Sequence, residues 1–277
     1  MYRVMHLTLR PHPAPTSNSA IDYACRAALF FDSRLNVTSP RLRVRTPTHV
    51  IAGGMMAGLA REFEQNAAEK SMELERYVET KGKEIVIDIN VVQLPETWPS
   101  SAEDMTWRGR ASDLCLLGLP QVGIEDRLDV EDWLFGLGRP CLLYPEASNE
   151  PFRLDSVVVC WDFSKSAARA VGDALPILKA AQKVHVMTVQ GEKKIPVEDI
   201  KSPVLDLLTA HGVQADYSVT QLGTESIGST ILDEAQNRRA DMLVMGAYGH
   251  SRLKEFVLGG ATKEILNTAR MPLFMSH

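Results

Sequence analysis

The chain lacks the features that would mark a secreted, membrane-spanning or disulfide-stabilised protein. No apolar run approaches the ~18 residues that a transmembrane helix needs, and the segment Met1–Arg10 is too short and too polar for a signal peptide. Its four cysteines form no Cys-x-x-Cys pair, and Cys115, Cys141 and Cys160 lie within apolar strand-like runs. We therefore expect small buried thiols, no membrane partner and a reducing, cytoplasmic location.

The chain also lacks a basic surface and the motifs of several enzyme classes. With 35 acidic and 30 basic residues its net charge is −5, which argues against a nucleic-acid partner. Its seven histidines show no metal-ligand spacing. It contains neither a Gly-x-Ser-x-Gly nucleophile elbow nor a Gly-x4-Gly-Lys-(Ser/Thr) phosphate loop. The sequence thus gives no support to a serine hydrolase, a P-loop nucleotidase or a metal site.

Residues 152–277 alternate between strand-like and helical patterns. The apolar runs that predict strands are 155–161, 184–189, 213–222, 242–245 and 272–275. The amphipathic segments that predict helices are 164–181, 197–211, 225–239 and 261–267, with a short helical turn at 252–257. This order predicts a parallel sheet with helices on both faces. Pro176 should kink or shorten the first helix.

Residues 1–147 repeat the same order less clearly. The predicted strands are 2–9, 41–45, 84–92, 113–118 and 138–144. The predicted helices are 20–31 and 55–80, and the loops are 11–19 and 95–110. The strand-ending glycines Gly118 and Gly246 are 246 − 118 = 128 residues apart, and Pro140 and Pro272 are 272 − 140 = 132 apart. This near-constant spacing indicates an internal duplication, with domains at 1–147 and 152–277 joined by a polar, proline-bounded linker.

A glycine-rich segment follows the fourth strand of the second half. Gly246 ends the strand, and Gly249 and Gly259 complete a Gly-x2-Gly-x9-Gly pattern. Glycines let backbone N–H groups approach a ligand closely, and a helix that starts there directs free N–H groups toward an anion. The segment predicts a phosphate-binding loop, with tight turns and helix packing as the alternative. Three side chains of the segment are more simply interpreted as solvated, namely His250, Arg252 and Lys254.

The second half resembles the universal stress protein family. That family carries Gly-x2-Gly-x9-Gly-(Ser/Thr) after its fourth strand and an aspartate at the end of its first, which is Asp162 here. The resemblance extends weakly to the first half and so implies a tandem-domain member. It implies two tandem α/β domains, each a five-stranded, parallel, doubly wound, Rossmann-like sheet of the adenine-nucleotide-binding type. Such domains pair with each other, commonly through their fifth strands, and a homodimer is a further expectation.

The resemblance also implies a role for each matched residue. Asp162 would accept hydrogen bonds from adenosine or ribose, and Val189 would line the adenine pocket. Met245 and Gly246 would support the sugar, so that Gly246→Val is expected to abolish binding without unfolding the chain. The residues whose N–H groups would reach the phosphates are Gly249, Gly259, Gly260 and Ala261. The implied ligand is ATP or another adenine nucleotide such as AMP, with or without Mg²⁺.

Two departures from the family pattern affect this expectation. Gly260 replaces a Ser or Thr, so one hydroxyl donor to phosphate is missing, and Thr262 is a candidate substitute. Trp161 is bulky and would either stack on a base or fill the pocket. The first half departs much further, because its first strand runs into Arg10 with no aspartate and Gly118 is not followed by the glycine pattern. We expect no nucleotide in the first half.

We predict a stress-response protein that binds an adenine nucleotide in its second domain and acts as a binding or signalling module. Phosphoryl transfer needs a metal clamp, cationic stabilisation and a positioned nucleophile, whereas one carboxylate, Asp162, accompanies the motif. We therefore expect no dedicated enzyme, with slow ATP hydrolysis left open. The main alternative is an interaction protein that dimerises through its closing strands, 142–144 and 273–275. An adenylating ligase is a weaker alternative, because its Ser-Gly-Gly or His-x-Gly-His signatures are absent.

Overall fold

The chain forms two compact units, each of which contains a parallel sheet with helices. The computed structural model describes residues 1–12, 14–41, 53–96, 106–120, 133–134, 136–191, 202–247 and 260–277. Unit 1 comprises Met1–Arg139 and Tyr144–Phe152, and unit 2 comprises Pro140–Leu143 and Arg153–His277. The domain bounds of 1–147 and 152–277 remain a prediction from the sequence.

Unit 1 is built on parallel strands that pair out of sequence order. Its strands within the described residues are β1 (Val4–Thr8), β2 (Arg34–Arg41), β3 (Ile89–Glu96) and β4 (Leu114–Leu119). Its helices there are α1 (Asn18–Phe30) and α2 (Gly53–Ile85). The strands lie in the order β3–β2–β1–β4, and every pairing between them is parallel.

The core of unit 1 combines an apolar central strand with an alanine-rich helix. All residues of β4 are buried, as expected for a strand covered on both faces of a parallel sheet. Helix α1 begins at the Ser17 cap, whose Oγ accepts a hydrogen bond from the Ala20 N–H at 3.1 Å. The alanines that this helix buries are Ala20, Ala24, Ala27 and Ala28.

Two strands of unit 1 differ from the sequence-based prediction. Of the strand predicted at 41–45, positions 42–45 lie outside the described residues, and β2 already ends at Arg41. Buried Leu35 and Val37 alternate with polar neighbours, which is the pattern of a strand and was overlooked. The strand predicted at 84–92 begins only at Ile89, because α2 continues to Ile85.

We expect the folding stability of unit 1 to depend on pH through His6. Its side chain is buried on β1, and its Nε2 lies 3.2 Å from Thr8 Oγ1 and 3.3 Å from Thr38 Oγ1. Burial, and then the nearby Arg108, lowers the pKa of His6 from 6.5 to about 4. Because the folded pKa lies below the unfolded one, the contribution to stability is complete above pH 6.5 and is lost as the pH falls toward 4.

We expect this loss to reach about 3 kcal/mol, since one pKa unit corresponds to roughly 1.4 kcal/mol. Urea denaturation of the wild type and of His6→Gln, at neutral pH and in acid, measures it. Carboxylates also titrate in this range, so the difference between the two proteins is the relevant quantity. Parallel loss of stability in both proteins on acidification would show that His6 is not the cause.

Unit 2 contains the sheet predicted for the second half. Its strands within the described residues are β6 (Ser156–Cys160), β7 (Lys183–Gln190), β8 (Ala215–Gln221), β9 (Met242–Gly246) and β10 (Leu273–Ser276). Its helices there are α3 (Lys165–Asp173), α4 (Leu175–Ala180), α5 (Ser202–Ala210), α6 (Ile227–Asn237) and α7 (Gly260–Thr268). These strands are parallel and lie in the order β10–β9–β6–β7–β8.

The closing strand of unit 2 is hydrogen-bonded along both edges. On one side β10 pairs in parallel with β9. On the other it pairs antiparallel with the first residues of β5 (Cys141–Pro145), where Cys141 faces Met275 and Leu143 faces Leu273. These paired residues are fully buried, so both edges of β10 are already occupied within the unit.

The helix predicted at 164–181 is divided, as Pro176 suggested. Helix α3 ends at Asp173, and α4 starts at Leu175 with Pro176 in its first turn. Proline has no N–H for the preceding turn and its ring clashes there, which separates the two helices. The start of α3 is fixed by Ser164, whose Oγ accepts a hydrogen bond from the Ala167 N–H at 3.1 Å.

No helix in the described part of the chain is long and apolar enough to cross a membrane. None of the four cysteines forms a disulfide, and Cys25, Cys115 and Cys141 are buried. The prediction of buried thiols is therefore confirmed for Cys115 and Cys141. Cys160, the last residue of β6, is only partly buried.

Candidate ligand-binding site

A cavity of about 470 Å³ lies at the carboxyl ends of the parallel strands of unit 2. The strand order reverses there, because β7 pairs with one side of β6 and β9 with the other. Ligands of open parallel sheets bind at this switch point, and the volume falls within the ~300–1,000 Å³ of small-molecule sites. Six of the predicted site residues line the cavity, namely Asp162, Val189, Met245, Gly246, Gly260 and Ala261.

The middle of the predicted phosphate loop falls outside the described residues. The structure describes the chain up to Ala247 and again from Gly260, the first residue of α7. What was predicted for the residues between Ala247 and Gly260 remains a prediction from the sequence. These predictions concern Gly249, Gly259, the turn at 252–257, His250, Arg252 and Lys254.

The described lining combines apolar and hydroxyl-bearing side chains. The apolar ones include Met187, Val189, Leu222, Ile227, Ile231 and Met245. The hydroxyl-bearing ones are Ser164, Ser166, Ser226 and Thr262. A few polar groups within an apolar cavity are typical of small-molecule sites, and this combination suits a flat base joined to a sugar.

Asp162 is held in place by the start of α3. Its Oδ1 accepts a hydrogen bond from the Ser164 N–H at 3.0 Å, and the Oγ atoms of Ser164 and Ser166 lie 3.0 Å apart. The helix cap itself is Ser164, so Asp162 is not needed for that task. Between them, Phe163 adopts a φ of 61°, a left-handed conformation that costs a bulky residue about 1–3 kcal/mol. Such strain is typical of a loop whose geometry serves a site.

Gly246 has a packing role that the sequence alone did not reveal. A Cβ atom at this position would lie 2.6 Å from the backbone carbon of Ser166 and 2.7 Å from the backbone nitrogen of Ala167. The end of β9 therefore approaches α3 so closely that only glycine fits. The expectation that Gly246→Val leaves the fold intact is wrong on these distances, and a different variant is needed to test binding.

The two departures from the family pattern can now be located. Trp161 lines the cavity without filling it, and its indole Nε1 is buried with no hydrogen-bond partner among the described residues. Its ring contacts Phe163 edge-on, with 5.5 Å between centroids. A Cβ at Gly260 would meet no atom of the described residues within 4 Å. Thr262, the proposed substitute, is buried and lines the same cavity.

Three carboxylates belong to the described lining of the cavity, and two of them were not predicted. Asp162 is joined by Glu225, which precedes α6, and by Glu264 on α7. The Ser226 Oγ lies 2.5 and 2.6 Å from the two carboxylate oxygens of Glu264 and donates to this group. The described lining contains no Lys, Arg or His. Within the described residues no group of three or more His, Cys, Asp or Glu side chains could hold a metal ion.

Comparison with known proteins shows which family the second half of the chain matches. Residues 154–277 match the model of the universal stress protein family. The second half of the chain is a universal stress protein domain. The curated universal stress protein Slr1230 of Synechocystis is 25% identical over 149 residues, which are 52% of this chain and 49% of that protein. The match thus spans about half the length of this relative.

The fold of the whole chain is that of universal stress proteins. A solved universal stress protein from Archaeoglobus fulgidus superposes with a TM-score of 0.76 at 17% identity, covering 99% of this chain and 95% of that one. The prediction of tandem, largely parallel, Rossmann-like α/β domains is therefore confirmed. A universal stress protein solved in complex with cAMP matches 44% of this chain and 96% of its own at 24% identity. Its TM-score of 0.37 is too low to transfer that ligand.

Of the two glutamates that the sequence analysis did not predict, only Glu225 has a position in the universal stress protein domain that could have indicated a site. Glu225 and Ser226 begin the helix after the third strand, and loops after parallel strands meet at one edge of a sheet. That position could have suggested them. Glu264 is on the face of α7 that packs on α6, and nothing in the sequence singles it out from the other acidic helical residues.

Proposed function

We propose that the universal stress protein domain binds an adenine nucleotide and acts as a binding or signalling module in a stress response. The observation that carries the proposal is the cavity at the strand switch point of unit 2, which brings together Asp162, Val189 and Met245 with both described ends of the glycine loop. These side chains come from three different strands and the loops that follow them, and each is at a position that the family pattern predicts.

The walls of the cavity support a base and a ribose in particular. Val189 and Met187 on β7 and Ile231 on α6 offer apolar contacts to a flat ring. The buried N–H of Trp161 is available as a hydrogen-bond donor, since it has no partner within the described residues. Asp162 is a carboxylate acceptor for ribose or adenosine hydrogen-bond donors, and a site of this kind typically uses few polar groups to orient its ligand.

A binding role fits the chemistry of the described lining better than a catalytic role. Phosphoryl transfer relies on cationic groups that stabilise the transferred phosphoryl group and on a positioned nucleophile. The described lining offers carboxylates instead. Cys160 lines the cavity, and desolvation of its partly buried side chain, followed by the charge of the nearby Asp162, raises the pKa of its thiol, which makes it a poor nucleophile. Slow ATP hydrolysis would appear as sustained phosphate release that is lost in Asp162→Ala.

The rival function, dimerisation through the closing strands, finds less support. Leu273–Met275 are paired on one edge with β9 and on the other with Cys141–Leu143, so this part of β10 offers no unpaired edge to a second chain. Strand addition requires such an edge. Homodimerisation through another surface, and a cytoplasmic location, remain expectations from the sequence.

Nucleotide binding is tested by a bulky substitution on a strand, β7, whose side chain would fill the cavity. Val189 lines it, whereas Val219 on β8 pairs with Thr188 and therefore lies on the opposite face of the sheet from Val189. We expect Val189→Trp to abolish the calorimetric signal for adenine nucleotides and Val219→Trp to retain it, with both proteins folded by circular dichroism. Ligand released by heating the wild type provides an independent readout. Equal binding by both variants would place the ligand elsewhere, and no binding by the wild type would refute the proposal.

A further inference from the structure

We infer that two copies of this chain associate through β8, by antiparallel pairing of this strand with itself. β8 is the outermost strand of the unit 2 sheet, and among the described residues it pairs along one edge only, with β7. Three of its side chains are exposed, namely Asp216, Val219 and Gln221. Leu207, on the helix α5 that contacts β8, is also exposed. An accessible edge strand is a template on which another strand can pair.

The backbone groups at the outer edge of β8 belong to alternate residues. The Leu222 N–H donates to the Gln190 carbonyl oxygen at 2.8 Å, so the backbone of Leu222 points toward β7. In a strand, the N–H and C=O groups of one residue point to the same side, and the side alternates along the chain. The N–H and C=O groups of Tyr217 and Val219 therefore point away from β7, toward the outer edge, where a second strand would bind.

The sequence of β8 is complementary to itself in one register. A two-fold axis at Ser218 pairs all seven residues of the strand with those of a second copy. Tyr217 of one copy then lies opposite Val219 of the other in a hydrogen-bonded pair, as their outward backbone groups require. An aromatic residue opposite a β-branched one is a favourable cross-strand pair. The one charged residue of β8, Asp216, lies opposite Thr220, so this register places no like charges together.

The outermost strand of unit 1, β3, has features that oppose such pairing. It contains Pro95, which has no N–H to donate, and its register with β2 shifts between Ser39 and Arg41. Prolines and irregular ladders are means by which edge strands avoid pairing with other chains. β8 contains neither proline nor lysine, and its register with β7 is regular. Of these two outermost strands, β8 is therefore the one suited to pair with a second copy.

Sedimentation equilibrium of the full chain tests the interface with a proline at Val219. Because the Val219 N–H points outward, Val219→Pro keeps the hydrogen bonds to β7 and removes one donor per copy from the interface. We expect a reversible dimer of the wild type and a dissociation constant at least about tenfold higher for Val219→Pro. Val219→Thr, which keeps the N–H and the branched side chain, should dimerise as the wild type does. A wild type that is monomeric at about 0.1 mM, or equal dimerisation of Val219→Pro, would overturn the inference.

Charge substitutions at Thr220 test the register without altering the backbone. Thr220 lies opposite Asp216 of the second copy, and the two-fold axis repeats this pair. Thr220→Asp should therefore raise the dissociation constant of the dimer and Thr220→Lys should lower it, each by about threefold to tenfold. The same substitutions at Asn90, which is exposed on β3, are the matched control for net charge. Equal shifts at Asn90 and Thr220, or no shift at Thr220, would contradict pairing in this register and overturn the inference.

Discussion

Replacing Arg10 with alanine is expected to cost unit 1 about 3–5 kcal/mol of folding free energy. Arg10 is 7% exposed and Glu146 is 6% exposed, and the guanidinium Nη2 of Arg10 donates to the Glu146 carboxylate. Burial raises the pKa of Glu146, and Arg10 opposes that rise. Without Arg10 the carboxylate is a buried charge that has lost its counter-ion. Urea denaturation at neutral pH, followed by circular dichroism, measures the loss.

A double replacement provides the control for this prediction. Arg10→Met combined with Glu146→Leu removes both charges and keeps apolar volume, and such replacements of buried ion pairs are often neutral or stabilising. We expect the double variant to recover most of the stability that Arg10→Ala loses. If Arg10→Ala unfolds at the same urea concentration as the wild type, the pair contributes little. If the double variant is as unstable as the single one, volume and not charge explains the loss.

Replacing Gly260 with serine is expected to strengthen the binding of phosphorylated adenine ligands by about tenfold to a hundredfold. The added hydroxyl would donate to a phosphate, and a hydrogen bond to a charged group contributes about 1.5–3 kcal/mol. Among the described residues a Cβ at Gly260 would meet nothing within 4 Å, and the residue lines the cavity. Adenosine should bind both proteins equally, since it has no phosphate. Titration with AMP and adenosine measures the difference.

The variant Gly260→Ala separates the effect of the added hydroxyl group from the effect of replacing glycine. Alanine adds the same Cβ at the first residue of α7 but offers no donor. We expect it to leave the AMP affinity at the wild-type value. AMP affinities that rise equally in both variants would point to a more ordered helix, and an unchanged affinity in Gly260→Ser would place the phosphate away from this residue.

The parts of the site that follow from local sequence were predictable. Their position at the end of a strand can be read from the sequence. This holds for the strand-ending glycines, for the aspartate after the first strand of the repeat and for the apolar residue near the end of its second strand. Asp162, Val189 and Gly246 therefore line one cavity as expected. The packing role of Gly246 was not predictable, because it depends on how closely α3 approaches β9, a distance that no spacing of residues in the sequence encodes.

Features that join distant parts of the chain escaped prediction for the same reason. Arg10 and Glu146 are far apart in sequence, and each of them, taken alone, is a residue type that is usually exposed to solvent. Glu264 was one of many acidic helical residues until its hydrogen bond with Ser226 became visible. The prediction of β2 was wrong for a different reason. The strand was predicted at 41–45, although the alternation of Leu35 and Val37 with polar residues already indicates a strand earlier in the chain.

The ion pair of unit 1 lies near the carboxyl ends of β1 and β4, the strands that correspond by their order in the sheet to β6 and β9 of unit 2. Arg10 follows β1, and a Cβ at Gly118 on β4 would lie 2.3 Å from the Glu146 carboxylate, just as Gly246 ends β9. Ser17 and Ser19 donate to the Glu146 carbonyl oxygen at 2.7 and 2.6 Å. In unit 1 the protein's own side chains thus occupy this position. Under the proposed function, only unit 2 would respond to the concentration of a ligand in solution, and unit 1 would serve as a structural domain.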